Sequence, residues 1–172
     1  MKLTEKLNSK IVFVFGGVMG PAQDIPNIMR LYLSIHNLKD IFFLFMGSGS
    51  QINYIEKVFK EHKIKNYSIL ENVPQREYYY LLKFCNVGLV SLSDALKTHN
   101  FPGKILSYMS SSLPILGSIN KGNDLKEIIL SNECGLISNN GNDKEFVNNA
   151  LYLYKNEIHR NVMAINSNKI LL

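Results

Sequence analysis

Cysteine is scarce in this chain and follows no pattern. Two cysteines in 172 residues, Cys85 and Cys134, make no disulfide framework, and no cysteine–histidine spacing suggests zinc. Both sit in apolar surroundings, which predicts buried, reduced thiols in a cytoplasmic protein. Long hydrophobic runs are also missing. IVFVF and IFFLFM fall far short of the ~20 apolar residues that a membrane-spanning helix needs. The N-terminal MKLTEKLNSK is too polar for a signal peptide. No dense Lys/Arg block or aromatic-flanked basic stripe occurs, which argues against nucleic acid as a partner. The dinucleotide pattern G-x-G-x-x-G is absent after the first strand, where GGVMGP stands, and there is no P-loop ending in Gly-Lys-Ser/Thr. That strand ends in glycines rather than the acidic residues of a phospho-acceptor. Internal repeats, linkers and low-complexity segments are absent too.

What is present is a chain of ordinary globular composition, 46% hydrophobic and 19% charged, long enough for one domain with a real core. The net charge of +5 suits an anionic ligand or an acidic membrane surface. Apolar strands alternate with amphipathic helices. Strands are predicted at 11–15, 41–46, 67–70, 87–92, 114–117 and 134–137. Helices are predicted from Asp24 or Pro26 to Leu38, over 51–62 and 77–84, after Pro102, from Asp124, from a cap at Asp143 to Tyr154, and over 157–170. This alternation predicts an α/β fold with a doubly wound, mostly parallel, Rossmann-like sheet. Such sheets bind ligands at the carboxyl ends of their strands. The strand-end loops there carry Gly16 and Gly17, Gly47 to Ser50, Ser91 to Ser93 and Gly117 to Gly122.

The stretch THNFPGKILSYMSSSLPILGSINKG concentrates the chemistry. Asn100 can cap a helix, Pro102 suits its first position, and Gly103 and Lys104 fall in its first turn. Free N–H groups there, together with the lysine charge, make an anion site. Pro-Gly as a plain turn with a solvated lysine is the simpler alternative. Backbone N–H groups, one lysine and small side chains suit a phosphate or diphosphate. The Tyr78-Tyr79-Tyr80 run reads as packing and surface, Ser48 and Ser50 as a polar turn, and His36, His62 and His159 as surface residues.

NFPGKILSYM followed by SLPILGSINKGNDLKEII resembles the C-terminal, donor-binding half of GT-B glycosyltransferases. The likeness is greatest to bacterial enzymes that build O-antigen or capsule, such as the L-fucosamine transferases. FVFGGVMGPAQD, FLFMGSGSQ and FCNVGLVSL match the family's entry loop, second strand with glycine turn, and the strand before the donor loop. The resemblance implies transfer of a sugar from a nucleoside diphosphate donor, most simply a UDP-sugar, to a glycan or lipid-linked acceptor. It implies that Lys104 and the first-turn N–H groups hold the diphosphate and that Gly16 and Gly17 admit the sugar phosphate. Asn123 and Asp124 would sit beside the donor, and His99 is a candidate sugar-contacting or catalytic residue. No cofactor or metal is implied, and no Asp-x-Asp pair stands ready to hold one.

Two departures matter. Many retaining relatives carry a pair of glutamates bracketing seven residues around this helix. His99 and Ser107 stand at the matching positions, so a hydroxyl replaces the usual carboxylate at the ribose. Many also carry an arginine and a lysine in the first loop, where Val18 and either Ala22 or Gln23 stand here. That concentrates phosphate binding on Lys104.

GT-B enzymes close a cleft between two domains. Residues 1–172 are expected to be the donor half alone, with the N-terminal acceptor domain absent from this chain and supplied by a missing domain or partner chain. Alone it should transfer nothing. The expected location is cytoplasmic, with possible peripheral contact at the inner face of the plasma membrane. A non-catalytic sugar-nucleotide-binding or partner-docking module remains the alternative. A nucleotide-sugar epimerase half is a weaker one, lacking the acid–base constellation it would need.

Overall fold

The structure, a computed structural model, describes residues 2–96 and 101–171. Six strands form one parallel sheet: β1 (Ile11–Gly16), β2 (Ile41–Met46), β3 (Tyr67–Leu70), β4 (Val87–Ser91), β5 (Ile115–Ile119) and β6 (Gly135–Asn139). Their order is β3-β2-β1-β4-β5-β6, so the direction of winding reverses between β1 and β4. Helices α1 (Leu3–Asn8), α2 (Ile25–Ile35), α3 (Ile52–Glu61), α4 (Gln75–Leu82), α5 (Lys104–Ser110), α6 (Leu125–Ser131), α7 (Asp143–Lys155) and α8 (Glu157–Lys169) surround it. This is the doubly wound α/β sheet that the alternating pattern predicts.

Strand side chains alternate between faces, so a run apolar at every position feeds two cores. Phe13, Phe15, Phe43 and Phe45 face a core shared with Ile28, Tyr32, Phe59 and Phe146. Val12, Val14, Phe42 and Leu44 face the other, with Leu82, Ile105, Tyr108 and Ile129. On the first face Tyr32 stacks on Phe43 with ring centroids 3.9 Å apart, which locks α2 to the sheet.

Several boundaries differ from the sequence expectation. α4 begins at Gln75 rather than 77, directly after Pro74, whose fixed φ suits a helix entry. β5 and β6 each run two residues further than expected, to Ile119 and Asn139, held by continuous pairing with one another. Asn142, not Asp143, caps α7: its side chain accepts from the Glu145 N–H. Asp143 is instead committed to a bidentate pair with Arg30, at 2.7 and 3.2 Å, that ties α7 to α2. α1 was not foreseen. It is six residues long and has one buried anchor, Leu7.

The two loops after β1 and β2 are laced together. Met19 donates to the Ser48 carbonyl (2.8 Å) and Gln51 to the Met19 carbonyl (3.0 Å). The glycines of GSGS make this possible. A Cβ on Gly47 would lie 2.0 Å from the Gly17 carbonyl oxygen, and one on Gly49 would lie 2.2 Å from that of Met19.

Candidate functional site

β1 and β4 pair only at Phe13–Val87 and Val14–Gly88 and then part. Parting strands leave backbone groups without ladder partners, and such groups must be satisfied when buried. Tyr108 of α5 does this. Its fully buried hydroxyl accepts from the Gly16 N–H (2.8 Å) and shares its own proton between the carbonyls of Leu89 (3.2 Å) and Val14 (3.3 Å). Its ring lies over Gly88, where a Cβ would meet it at 2.5 Å. One side chain thus fixes α5 against both strands at the reversal point.

Lys104 lies one turn before Tyr108 on the same side of the helix. Its ammonium rests 3.6 Å from the centroid of the buried Phe15 ring and donates to Gln23 Oε1 at 3.1 Å. Among the described residues no carboxylate pairs with it. Part of the residue is exposed, yet the ammonium is enclosed enough for burial to pull its pKa from the ordinary lysine range down to about 7. An enclosed cation with no carboxylate beside it can attract an anion.

The lysine borders a pocket of about 280 Å³. Gly17, Met46 and Gly47 line it from the strand ends, Val73 and Tyr78 from the β3–α4 side, and Lys104 and Ser107 from α5. No lining residue is acidic. Tyr78 covers Gly16 so closely that a Cβ there would lie 2.2 Å from the tyrosine oxygen, and burial raises the Tyr78 pKa and keeps its hydroxyl neutral. Ser107 Oγ shares a hydrogen bond with Tyr79 Oη (3.3 Å). An apolar groove of about 590 Å³ between α8 and β6 is larger, but no comparable convergence of charge and polar groups marks it.

Of the residues singled out from sequence, Gly17, Lys104 and Ser107 share this pocket, and Gly16 lies at its base under Tyr78. Gly103 is exposed at the start of α5, already in helical dihedrals, with nothing within 4 Å of a Cβ. Pro102 precedes it and accepts from the Ile105 N–H (3.0 Å) instead of occupying the first helical position. α5 has only seven residues, so its dipole is small and the lysine charge dominates. His99 and the Asn100 cap lie outside the described residues.

Asn123 and Asp124 stand elsewhere, after β5. Asn123 is buried, donates to Asn120 Oδ1 (3.0 Å) and accepts from the Leu125 N–H (3.0 Å) at the start of α6. Asp124 is the exposed residue just before α6. Nearby, Asn140 donates at 2.8 Å to both Asp24 Oδ2 and the Leu92 carbonyl, and Asn27 reaches Ser91 Oγ at 3.2 Å. Sequence reasoning missed Tyr78 and Tyr108 as site residues. For Tyr108 the available signal was an aromatic one turn after the lysine.

Among the described residues no group of three or more His, Cys, Asp or Glu is placed to hold a metal ion, and no helix is long and apolar enough to cross a membrane.

Residues 2–170 match the family described as "Glycosyl transferases group 1". The chain belongs to that family. Its glycosyltransferase domain is 30% identical over 120 residues to a probable glycosyltransferase, WbjE, of Pseudomonas aeruginosa, a match that covers 70% of this chain and 30% of the relative. The fold matches the C-terminal domain of LpcC, a group 1 glycosyl transferase of Francisella tularensis, with TM-score 0.76 at 13% identity over 97% of this chain and 87% of the other. It also matches Anabaena HepE in complex with UDP-glucose, with TM-score 0.79 at 14% identity over 95% of this chain and 44% of the other. The glycosyltransferase domain thus spans less than half the length of WbjE and HepE. A six-stranded parallel sheet of this order is one Rossmann-like half of a GT-B fold.

Proposed function

We propose that this chain is the donor-binding domain of an enzyme that moves a sugar from a nucleoside diphosphate sugar, specifically a UDP-sugar, to a glycan or lipid-linked acceptor in cell-surface polysaccharide synthesis. One observation carries the reading: the Lys104 ammonium, without a carboxylate partner among the described residues, borders a pocket at the strand ends. In sugar transfer the departing nucleoside diphosphate carries growing negative charge, and a fixed cation in a dry cleft lowers that barrier most. Lys104 supplies the charge. Gly17 and Gly103 keep backbone accessible, Gly16 lets Tyr78 pack close at the pocket base, and Ser107 offers a hydroxyl to the ribose. Asn123 holds the loop that would border the donor, next to Asp124.

HepE binds UDP-glucose in its crystal, which supports UDP as the nucleotide. The glycosyltransferase domain covers less than half of its longer relatives, so acceptor groups are assigned to a second domain or partner chain. This domain alone is expected to bind donor and transfer nothing. A cytoplasmic site of action at the membrane's inner face is part of the proposal, and the basic balance of +5 supports it.

Calorimetric titration with UDP, GDP and NAD, repeated for Lys104→Ala, tests the reading. Preferential UDP binding that weakens about tenfold or more in the variant supports it. Equal binding of UDP and NAD, or an unchanged variant, moves the non-catalytic docking module ahead. That alternative has its own observation in the exposed stripe Ile158, Val162 and Ile165 on α8.

A further inference from the structure

Gln23 is bonded to the lysine at the pocket. It ends the 3-10 turn Pro21–Gln23, beyond the segment laced to the loop after β2, and its amide oxygen accepts from the Lys104 ammonium at 3.1 Å. We propose that Gln23 is a positioning residue: its neutral oxygen tethers the Lys104 ammonium at the pocket without neutralising it, so that the ligand's diphosphate is the first counter-charge the ammonium meets. This rests on the donor-site reading above.

The groups around the ammonium come from several elements. β1 offers the Phe15 ring, the following loop offers Gly17, and α5 offers Ser107, which lines the same pocket. α4 offers Tyr78, kept neutral by burial. Asp24 adjoins Gln23 in sequence, but its carboxylate accepts from the Asn27 N–H and Asn140 Nδ2. Among the described residues the cation therefore has an aromatic face and one amide oxygen. A carboxylate at position 23 would cancel the charge before any ligand arrived. With a neutral oxygen the ammonium has no carboxylate beside it, and burial pulls its pKa down to about 7. Ligand binding above that pH then draws a proton from solvent onto Lys104.

Two measurements on the chain as it exists test this. The first follows Lys104 by NMR in unliganded protein labelled with carbon-13 lysine, its resonance assigned by loss in Lys104→Met. The wild type should titrate near 7 and Gln23→Glu above about 8, because a carboxylate stabilises the charged form. The second titrates UDP-glucose, whose phosphates stay ionised across the range, so pH dependence reports on the protein. Wild-type affinity should fall about 10- to 100-fold from about pH 6 to about pH 9. Gln23→Glu should bind about tenfold more weakly at the low end and lose the pH dependence. Gln23→Met, which keeps the volume without the acceptor, should retain the pH dependence and weaken binding about three- to tenfold at every pH.

A wild-type lysine that titrates in the ordinary range overturns the proposal. So does a Gln23→Glu variant with an unchanged titration, while Lys104-dependent binding leaves the donor site standing. Equal UDP-glucose binding by wild type and Lys104→Met overturns the donor site and this inference together.

Discussion

The carboxyl edge of the sheet has two halves, and they treat polar side chains in opposite ways. Over the ends of β4, β5 and β6, several polar side chains are paired, two of them with residues that follow β1, although Ser118 Oγ on β5 is buried without a partner. Asn140 bridges Asp24 and the Leu92 carbonyl, Asn123 joins Asn120 to the start of α6, and Asn27 holds Ser91. Beside the ends of β1 and β2, a lysine is enclosed with an aromatic ring and, among the described residues, one amide oxygen as its hydrogen-bond partner. Buried polar groups whose bonds are complete hold a structure together, whereas an incompletely paired one stores binding capacity for something else. The two halves share a sheet edge and glycine-rich loops, so loop composition alone does not separate scaffold from site. The lysine is set apart by its charge, which has no carboxylate beside it among the described residues.

The comparison is broken most severely at Lys104. Lys104→Met should weaken UDP binding about 10- to 100-fold by calorimetry. The same change should stabilise the unliganded domain by about 1–2 kcal/mol in urea unfolding, since an unpaired buried cation is replaced by an apolar chain. Its pH signature has a definite sign. The unfolded chain keeps the lysine proton to about 10.5, whereas the folded one releases it near 7. The unfolded state therefore binds more protons between those values, and wild-type stability should rise with pH across that window. Lys104→Met should flatten the rise.

Gly47→Ala comes next. The new Cβ would sit 2.0 Å from the Gly17 carbonyl, at a φ of +149°, and would force the laced loops apart. A loss of about 2–4 kcal/mol is expected, with weaker UDP binding because these loops floor the pocket. Asn140→Ala sharpens the contrast from the other side. It strips a partner from Asp24 and from the Leu92 carbonyl, so about 1–3 kcal/mol of stability should go while UDP affinity stays within about twofold. The smallest effect belongs to Arg30→Ala. Its bidentate pair with Asp143 is half exposed, so thermal melts should show a cost of about 0.5 kcal/mol that shrinks in salt.

Much of this was legible before any coordinates, for a physical reason. Parallel strands covered on both faces must be apolar at consecutive positions, so 11–15 and 41–46 declare themselves. Lys104, Gly17 and Ser107 were legible because a short motif places them in one chain segment or at one strand end. α1 was not, since a six-residue helix with one buried side chain has no period to detect. The cap of α7 was misplaced by one position because Asn142 and Asp143 are both capable of it, and the Arg30 pair decides between them. Gln23 was visible only as one of two residues, with Ala22, standing where many relatives carry a cation. Its tethering of a lysine 81 residues away depends on the reversal of the sheet, which brings the two loops together. Tyr108 was illegible for the same reason, because the parting of β1 from β4 exists only once the strands are ordered.

Tyr108 has a consequence for how such a domain can change. α5 is seven residues long, too short to hold its own shape in water. Its placement comes from the hydroxyl wedged between the two diverging strands and from the ring over Gly88, not from Lys104 and Ser107, which line the pocket. Mount and tool are therefore separate parts of one turn of helix. On the proposed donor reading, position 107 can be re-cut while the wedge keeps the helix in register, and a designer seeking a new specificity should begin there and leave the tyrosine alone.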